Sequence, residues 1–317
     1  MKLKNITGLT KRFFQDWKEF SFPVAFGRLR RDVPIGKWEK RRTFYENRVY
    51  RYLEKRYAPV IDQCIENHDA SKEQPIKEKY IWTMWWQGED QMPPIVKTCY
   101  QQLLRVSVGY TVTLITHENW DDYVTLPDHI VEKYKKGIIG PAHFSDVLRI
   151  ALLNRWGGLW LDATVYSCKI PVEAFEIPFY TLHSPGLFPD FISRGKFSTF
   201  VLGFSYTSSL ITSAIGRFFD AYWEKHNMAI DYLFFDYALC ILSSHSRNVH
   251  TMISSLIENR QFYNLNVQLN RPIEKGALAR LLEASPLHKL SYRQELQITD
   301  TDGNLTVFGH LLNRIIS

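Results

Sequence analysis

The pattern of apolar and polar positions between His143 and Val165 predicts a helix followed by a strand, and the rest of the chain is interpreted around that stretch. In its first half, apolar residues recur at helical spacing, at Phe144, Val147, Leu148, Ala151 and Leu152. This periodicity predicts an amphipathic helix that runs to about Trp156.

The second half of the stretch predicts a strand with a polar end. Gly157 and Gly158 end the helix, because glycine readily adopts the left-handed backbone found at helix C-termini. The apolar run 159–161 is short enough for a buried strand. Asp162 and Thr164 follow it, two residues apart and on one side of the chain. In an α/β sheet such residues lie at the carboxyl edge, where ligands bind.

Two charged residues of the predicted helix extend this candidate site. Asp146 and Arg149 are three positions apart and share a helix face, so the helix can bring both to the edge that carries Asp162. A carboxylate and a guanidinium fork there would face the hydroxyls of a sugar or a ribose. The alternative is a solvated Asp162 and an exposed Asp146–Arg149 ion pair, since surface pairs of this kind are common.

The pattern from Tyr80 onward predicts an α/β fold with a sheet flanked by helices. A β-type run at 81–85, a helix from Pro93 and an alternating strand at 110–116 form a strand–helix–strand unit, which is typical of a parallel sheet. Further helices are predicted within 121–140, at 209–225 and within 255–290, further strands at 159–161, 179–182 and 200–206, and a loop at 166–178.

The front of the chain differs in charge and composition. Residues 1–60 carry 16 Lys and Arg against 6 Asp and Glu, whereas the remainder carries 23 against 27. Apolar spacing predicts a long helix over 41–64, and the charged stretch 71–79 suits a linker. The sequence therefore predicts two parts, a basic, aromatic, helical N-terminal segment (1–75) and a catalytic domain (76–317).

Rings set among cations are typical of a segment that lies on an anionic membrane surface, so we expect a peripheral membrane contact through residues 1–60. The alternative is a helical hairpin that packs on the catalytic domain and leaves a solvated basic rim. Nucleic acid is not expected as a partner, because no recognised binding motif accompanies the charge and the rest of the chain is acidic.

Composition sets the remaining bounds. A chain of 317 residues that is 45% hydrophobic and 23% charged is an ordinary globular composition. The four cysteines are scattered without a C-x-x-C pair, which argues against a zinc site or a disulfide framework and fits a reducing cytoplasm. No apolar run is long enough to span a bilayer. We expect a cytoplasmic protein, peripheral on the inner face of the cell membrane.

The motif S-D-x-x-R-x-x-x-L-x-x-x-G-G-x-W-x-D-A-T, at 145–164, resembles the capsular polysaccharide synthesis family of bacterial glycosyltransferases. That family is similar to the retaining sugar transferases with a DXD motif, which include fungal mannosyltransferases and the glucosylating domains of large toxins. The resemblance covers roughly 80–237. It implies a GT-A-like (Rossmann-type) mixed sheet and transfer from a nucleotide-diphosphate sugar, most simply a UDP-sugar, to a growing saccharide or a lipid-linked acceptor, with retention.

The resemblance also assigns roles in the donor site. The block Ile81 to Gly88 matches the family's first strand and its following loop, so Trp86 is expected to stack on the nucleotide base and Gln87 to bind the donor. Asp146 and Arg149 would hold the sugar. Asp162 would bind ribose or a metal and contribute to catalysis, and Thr164 would lie beside the diphosphate.

The segment 231–237 resembles the second recurrent block of the family. Asp231 would bind the acceptor, and Asp236 would support the transition state. The alternative is that Asp231 caps a helix and that Asp236 is a solvated helix residue.

One position departs from the family pattern, and the departure leaves the cofactor open. Thr164 stands where the wider family has the second Asp, which holds Mn²⁺ or Mg²⁺ there, and a hydroxyl is a poorer ligand for a hard cation. Asp162 would hold a metal if one binds, and His310 is a candidate to complete the site. A degenerate transferase domain that acts as a scaffold in surface-polysaccharide assembly is the alternative function.

Overall fold

A computed structural model describes residues 3–316, so residues 1, 2 and 317 of the two predicted parts lie outside the described range. The fold is mixed α/β, with a small mixed sheet flanked by helices. The helices are α1 Leu3–Glu19, α2 Phe22–Asp32, α3 Trp38–Glu66, α4 Pro94–Val106, α5 Trp120–Tyr123, α6 Asp128–Lys135, α7 Pro141–Trp156, α8 Leu210–Lys225, α9 Phe234–His245, α10 Arg247–Ser254, α11 Lys275–Glu283 and α12 Val307–Ile316. The strands are β1 Gln74–Pro75, β2 Tyr80–Met84, β3 Thr111–Ile115, β4 Gly158–Leu161, β5 Val165–Ser167, β6 Val201–Phe204, β7 Tyr206–Thr207 and β8 Leu287–Lys289.

The central sheet has the strand order β3-β2-β4-β6. β2 is parallel to both β3 and β4, and β6 is antiparallel to β4. The β2–α4–β3 unit confirms the predicted strand–helix–strand pattern. Since Trp82 is paired with Trp160, the segments that follow β2 and β4 leave the sheet at the same carboxyl edge.

The junction between α7 and β4 confirms the predicted helix end. Gly157 and Gly158 have φ angles of +64° and +88°. A Cβ on Gly158 would collide with the carbonyl oxygen of Tyr80 on the neighbouring strand. Glycine is therefore required at 158 both for its backbone conformation and for the close approach of β4 to β2.

The two-stranded sheet of β5 and β8 was missed by the sequence reasoning. β5 pairs antiparallel with β8, with Val165 opposite Lys289. The prediction of a loop at 166–178 is wrong where it overlaps β5, and the prediction of helix within 255–290 is wrong at β8. Both strands are three residues long, which is too short to show a periodicity. The predicted strand at 179–182 is reduced to one isolated bridge, between Tyr180 and Gly203.

The N-terminal helices pack on the rest of the molecule. The buried side of α3 shares one hydrophobic core with α7, α8 and α9, through residues that include Tyr45, Val49, Leu53 and Ile61. α1 and α2 form a hairpin on α3. The N-terminal helices are therefore arranged as a helical hairpin that packs on the rest of the molecule, as in the alternative given above. Between residues 3 and 316, no helix combines the length and the apolar character needed to cross a bilayer.

Candidate functional site

Asp162 is the centre of the candidate site. It follows the buried strand β4, and its backbone N–H donates to the Phe200 carbonyl over 3.0 Å. Its Oδ1 accepts hydrogen bonds from Trp160 Nε1 at 2.9 Å and from Arg149 at 3.2 Å. Its Oδ2 accepts from Lys289 Nζ at 2.9 Å. Asp162 is thus fixed by three donors, and its side chain is still 28% exposed.

Lys289 is the principal residue that the sequence reasoning did not identify. Its ammonium donates both to Asp162 and, over 2.8 Å, to the hydroxyl of Thr164. β8 positions it there, because Lys289 is paired with Val165 and the Leu290 N–H donates to the Thr164 carbonyl. No local signal marks Lys289, because residues 287–290 read Leu-His-Lys-Leu and do not alternate between apolar and polar.

Arg149 contacts both Asp162 and Asp146, so α7 brings its two charged residues to the edge that carries Asp162. One guanidinium nitrogen of Arg149 lies 3.2 Å from Asp162 and 3.4 Å from Asp146. The guanidinium also lies over the Trp160 ring, 4.9 Å from its centroid, and donates to the Thr199 carbonyl. With only 7% of its side chain exposed, Arg149 is a buried, multiply bonded cation rather than half of a surface pair.

The two cations keep Asp162 ionised. Burial alone would raise the pKa of its carboxyl, but the positive charges of Lys289 and Arg149 outweigh that effect and hold the pKa below its usual value. The carboxylate is therefore charged at neutral pH. It can accept hydrogen bonds from a ligand, and an anionic ligand beside it would contact the same two cations, Lys289 and Arg149.

The motif positions do not fit a divalent metal. The ammonium of Lys289 occupies the space between Asp162 and Thr164, where a metal would need oxygen ligands, and Asp162 already accepts three hydrogen bonds. A metal cation there would be repelled by Lys289 and Arg149. Within residues 3–316, no group of three or more His, Cys, Asp or Glu side chains is arranged to hold a metal ion.

Trp86 and Gln87 lie in the loop after β2, at the carboxyl edge shared with Asp162. Trp86 is half-buried and meets the rings of Phe144 and Tyr134 edge-on, with centroids 5.5 and 5.4 Å apart. Gln87 is exposed. The position of both residues is compatible with a donor site, and their roles remain predictions.

Asp231 lies among arginines instead of in an open acceptor pocket. It is 4% exposed, its Oδ1 caps the Leu233 N–H at 2.9 Å, and it pairs with Arg31 at 3.4 Å and Arg42 at 3.6 Å. Asp231 is nevertheless not the N-cap of α9, because the helix begins at Phe234 and Leu233 holds the N-cap position. Its role in binding the acceptor stays a prediction. The two arginines come from α2 and α3, and Arg31 lies 200 positions earlier in the chain, which no local pattern could indicate.

His310 also has a local partner. It lies on α12, and its Nε2 is 3.0 Å from the carbonyl oxygen of Ile273. Earlier in the chain, Asp300 accepts hydrogen bonds from the N–H groups of Asp302 and Asn304, so residues 300–304 form a turn. Among residues 3–316, His310 is not part of any group of three or more His, Cys, Asp or Glu side chains that could hold a metal ion.

A family model described as "Capsular polysaccharide synthesis protein" matches residues 33–311. The chain belongs to the capsular polysaccharide synthesis protein family. Its membership suggests a role in capsule biosynthesis. No curated protein matches the sequence. The matched region contains α3 and the whole candidate site, and it leaves α1 and α2 outside.

Asp236 lies in the first turn of α9, close to the candidate site of this family member. It is 8% exposed and is hydrogen-bonded by the Ser193 side chain. Burial raises its pKa to about 7, with further contributions from the negative charges of Asp146 and Asp231, while Ser193 and Arg149 act in the opposite direction. Asp236 is thus a buried carboxyl rather than a solvated helix residue.

Replacing Asp236 with asparagine should raise stability more at pH 8 than at pH 5. The wild-type carboxyl is protonated in the folded chain up to about pH 7 and ionised in the unfolded chain above about pH 4, so wild-type stability falls between these values. The amide of the Asp236→Asn variant does not titrate, so the variant loses that dependence. In urea titrations, we expect the difference between variant and wild type to grow by about 2 kcal/mol from pH 5 to pH 8.

The exposed Asp121→Asn provides the matched control, because its carboxyl lies on the surface of α5. Its effect on the free energy of unfolding should be within about 0.5 kcal/mol at each pH, as is usual for an exposed surface substitution. A constant difference between Asp236→Asn and wild type would show that the Asp236 carboxyl titrates normally.

Proposed function

We propose that this chain is a nucleotide-sugar-dependent glycosyltransferase that builds a capsular or other surface polysaccharide. The observation that carries the proposal is the convergence of Lys289 and Arg149 on Asp162 at the carboxyl edge of β4. A nucleoside-diphosphate donor presents ribose hydroxyls and two phosphates. A carboxylate can accept hydrogen bonds from the hydroxyls, and the cations can neutralise phosphate oxygens.

A GT-A-like arrangement is part of the proposal. It is supported by the parallel β2–α4–β3 unit, by the antiparallel strand β6 beside β4, and by the carboxyl edge that β2 and β4 share. Trp86 and Gln87 would bind the base and the neighbouring part of the donor from one side of this edge. Asp162 and Thr164 would approach the ribose and diphosphate from the other.

Lys289 would do the work that a metal does in the DXD transferases. During transfer, the bond between the anomeric carbon and the diphosphate oxygen breaks, and negative charge develops on the leaving diphosphate. An ammonium held in place beforehand stabilises that charge without reorganisation. Lys289 is 22% exposed and Arg149 only 7%, so Lys289 would contact the diphosphate while Arg149 holds Asp162 and Asp146 against the sugar.

The acceptor hydroxyl must lose its proton as its oxygen bonds to the anomeric carbon. Asp236 is suited to receive that proton, because a base with a pKa of about 7 matches neutral conditions.

Retention of configuration and a UDP-sugar donor are taken from the family resemblance. A cytoplasmic location is supported by four cysteines that are all free thiols.

The test is calorimetric titration of the full chain with UDP, GDP and CMP, each with a chelator, with Mn²⁺ and with Mg²⁺. We expect one nucleotide to bind, with an affinity that the chelator does not change, and the matching nucleotide sugar to be turned over. Binding that requires Mn²⁺ or Mg²⁺ would retain the transferase but contradict the role of Lys289. Arg149→Met should weaken binding, whereas Arg155→Met, on the exposed end of α7, should not.

A second candidate is favoured by the same geometry. Thr164 replaces the second motif carboxylate and Asp162 already accepts three hydrogen bonds from protein donors, as expected of a degenerate domain that acts as a scaffold in polysaccharide assembly. The titrations separate the two candidates. If no nucleotide binds and no nucleotide sugar is turned over, the scaffold replaces the transferase.

A further inference from the structure

The outer face of the α1–α2 hairpin exposes an unusual number of aromatic side chains. Four rings there are each between 44% and 56% exposed, those of Phe14, Trp17, Phe22 and Phe26. These rings contact one another, with centroids 5.4 Å apart for Trp17 and Phe22 and 6.0 Å apart for Phe22 and Phe26. Together with Phe44, 6.2 Å from Phe26, they form what we call the aromatic face. A continuous exposed apolar surface of this kind marks an interaction site.

Positive charge surrounds the aromatic face. The guanidinium groups of Arg30 and Arg48 lie 4.3 and 4.8 Å from the centroid of the Phe44 ring. Lys11 and Lys18 are exposed on α1, at the helical spacings that place them on either side of Phe14. The rings are therefore framed by cations at both ends of the hairpin.

The acidic residues of the hairpin are engaged elsewhere. The first 38 residues contain three acids. Each has a basic partner: Asp16 pairs with Arg28 at 2.6 Å, Glu19 with His226 at 3.0 Å and Asp32 with Arg31 at 2.7 Å. The charge that faces outward around the rings is thus positive and is not neutralised by these neighbouring carboxylates.

The hairpin is held firmly, so the rings are not exposed by loose packing. Arg28 donates to the Ile230 carbonyl, Arg31 pairs with Asp231, and Tyr45 from α3 donates to the same Ile230 carbonyl over 2.8 Å. The inner side of the hairpin therefore serves attachment to the domain. The family match begins at residue 33, so the family model does not include the part of this surface that α1 and α2 provide.

We propose that the aromatic face binds the surface of an anionic lipid bilayer. Its rings would lie at the headgroup level, with Lys11, Lys18, Arg30 and Arg48 against lipid phosphates. The charge argues against a second copy of the chain as the occupant, because two such faces would repel each other. Single-stranded nucleic acid is disfavoured because the rings pack on each other, whereas base stacking needs open ring faces. This inference does not depend on the proposed sugar transfer.

The test is flotation of the full chain with vesicles of phosphatidylcholine alone and with about 30% phosphatidylglycerol, at low salt. We expect binding to the anionic vesicles at least about tenfold tighter than to the neutral ones, and weaker binding as salt rises. Two variants address the face itself. Phe14→Ser with Trp17→Ser, and Lys11→Glu with Lys18→Glu, should each weaken binding at least about tenfold.

Matched controls change equivalent residues elsewhere. Val108→Ser with Ile257→Ser removes two apolar side chains that are more than 80% exposed, and Lys135→Glu with Lys169→Glu reverses two exposed charges. Both controls should bind vesicles as the wild type does. All variants should retain the wild-type melting temperature, since they alter exposed side chains.

Three outcomes would overturn the proposal. The first is no preference of the wild type for anionic vesicles at low salt. The second is unchanged vesicle binding by Phe14→Ser with Trp17→Ser, which would mean that the overall positive charge of the chain, and not the aromatic face, binds the vesicles. The third is a concentration-dependent dimer, or a complex with a single-stranded oligonucleotide, that the aromatic variant abolishes while vesicles do not bind. Nucleotide titration of the same preparation separates these results from any failure of the proposed enzyme activity.

Discussion

Lys289→Met should lower the rate of sugar transfer by about 10²–10³-fold, the effect of removing one prepositioned donor from a developing negative charge. Methionine keeps an unbranched side chain of similar length and removes the ammonium, which lies 4.9 Å from the centroid of the Phe200 ring. Asp162 retains Arg149 and Trp160 as donors, so the variant should still fold. The loss should be specific to phosphate, because affinity for the nucleoside diphosphate should fall at least about tenfold while affinity for the nucleoside alone is unchanged.

The measurements are kcat and KM for the nucleotide sugar and calorimetric titration with nucleoside and nucleoside diphosphate. Lys169→Met is the matched control, because Lys169 is an exposed lysine just after β5 and away from Asp162. It should behave as wild type. Lys289→Arg should recover part of the activity. If Lys289→Met keeps the transfer rate and the diphosphate affinity within about threefold of wild type, Lys289 serves only as the ion-pair partner of Asp162.

Gly158→Ala should destabilise the protein by about 4 kcal/mol or more, a large part of the free energy of unfolding of a typical domain. Two costs combine. An alanine would have to adopt a φ of +88°, and its Cβ would collide with the carbonyl of Tyr80, which is backbone of a central strand and cannot rotate away. Relief requires β4 to move from β2, which would also displace Asp162 at the end of β4.

Urea unfolding of the two proteins checks this expectation. Gly216→Ala is the control, because Gly216 lies inside α8 and a Cβ there would make only an ordinary contact with Ile150. That variant should be stabilised by up to about 1 kcal/mol, the difference in helix propensity between the two residues. Equal midpoints for Gly158→Ala and wild type would mean that the β2–β4 contact is looser than the structure indicates.

The site elements that depend on neighbouring residues could be predicted from the sequence. The apolar spacing before Trp156 and the glycine pair after it located α7 and its end, and the short run after Gly158 predicted β4. Asp162 could be placed at the sheet edge because it directly follows that strand. Asp146 and Arg149 could be joined to it because helical spacing determines which side chains share a face.

Elements without a local signature were missed or misassigned. β5 and β8 are three residues long, and their identity depends on pairing with each other rather than on periodicity. A predicted strand at 179–182 has the composition of a strand but forms only the bridge at Tyr180. The second block was correctly placed near a helix start, but a sequence pattern could not distinguish buried Asp236 from ion-paired Asp231.

The sequence by itself determined the α7–β4 unit, its glycine junction, the carboxylate at its end and the excess of positive charge at the front of the chain. These follow from propensities and spacings over a few residues. Only the tertiary structure brought Lys289 to Asp162 across 127 positions and turned Arg31 toward Asp231 across 200. The reason is physical. An ion pair depends on the distance between its charges in space, and long-range strand pairing and helix docking set that distance.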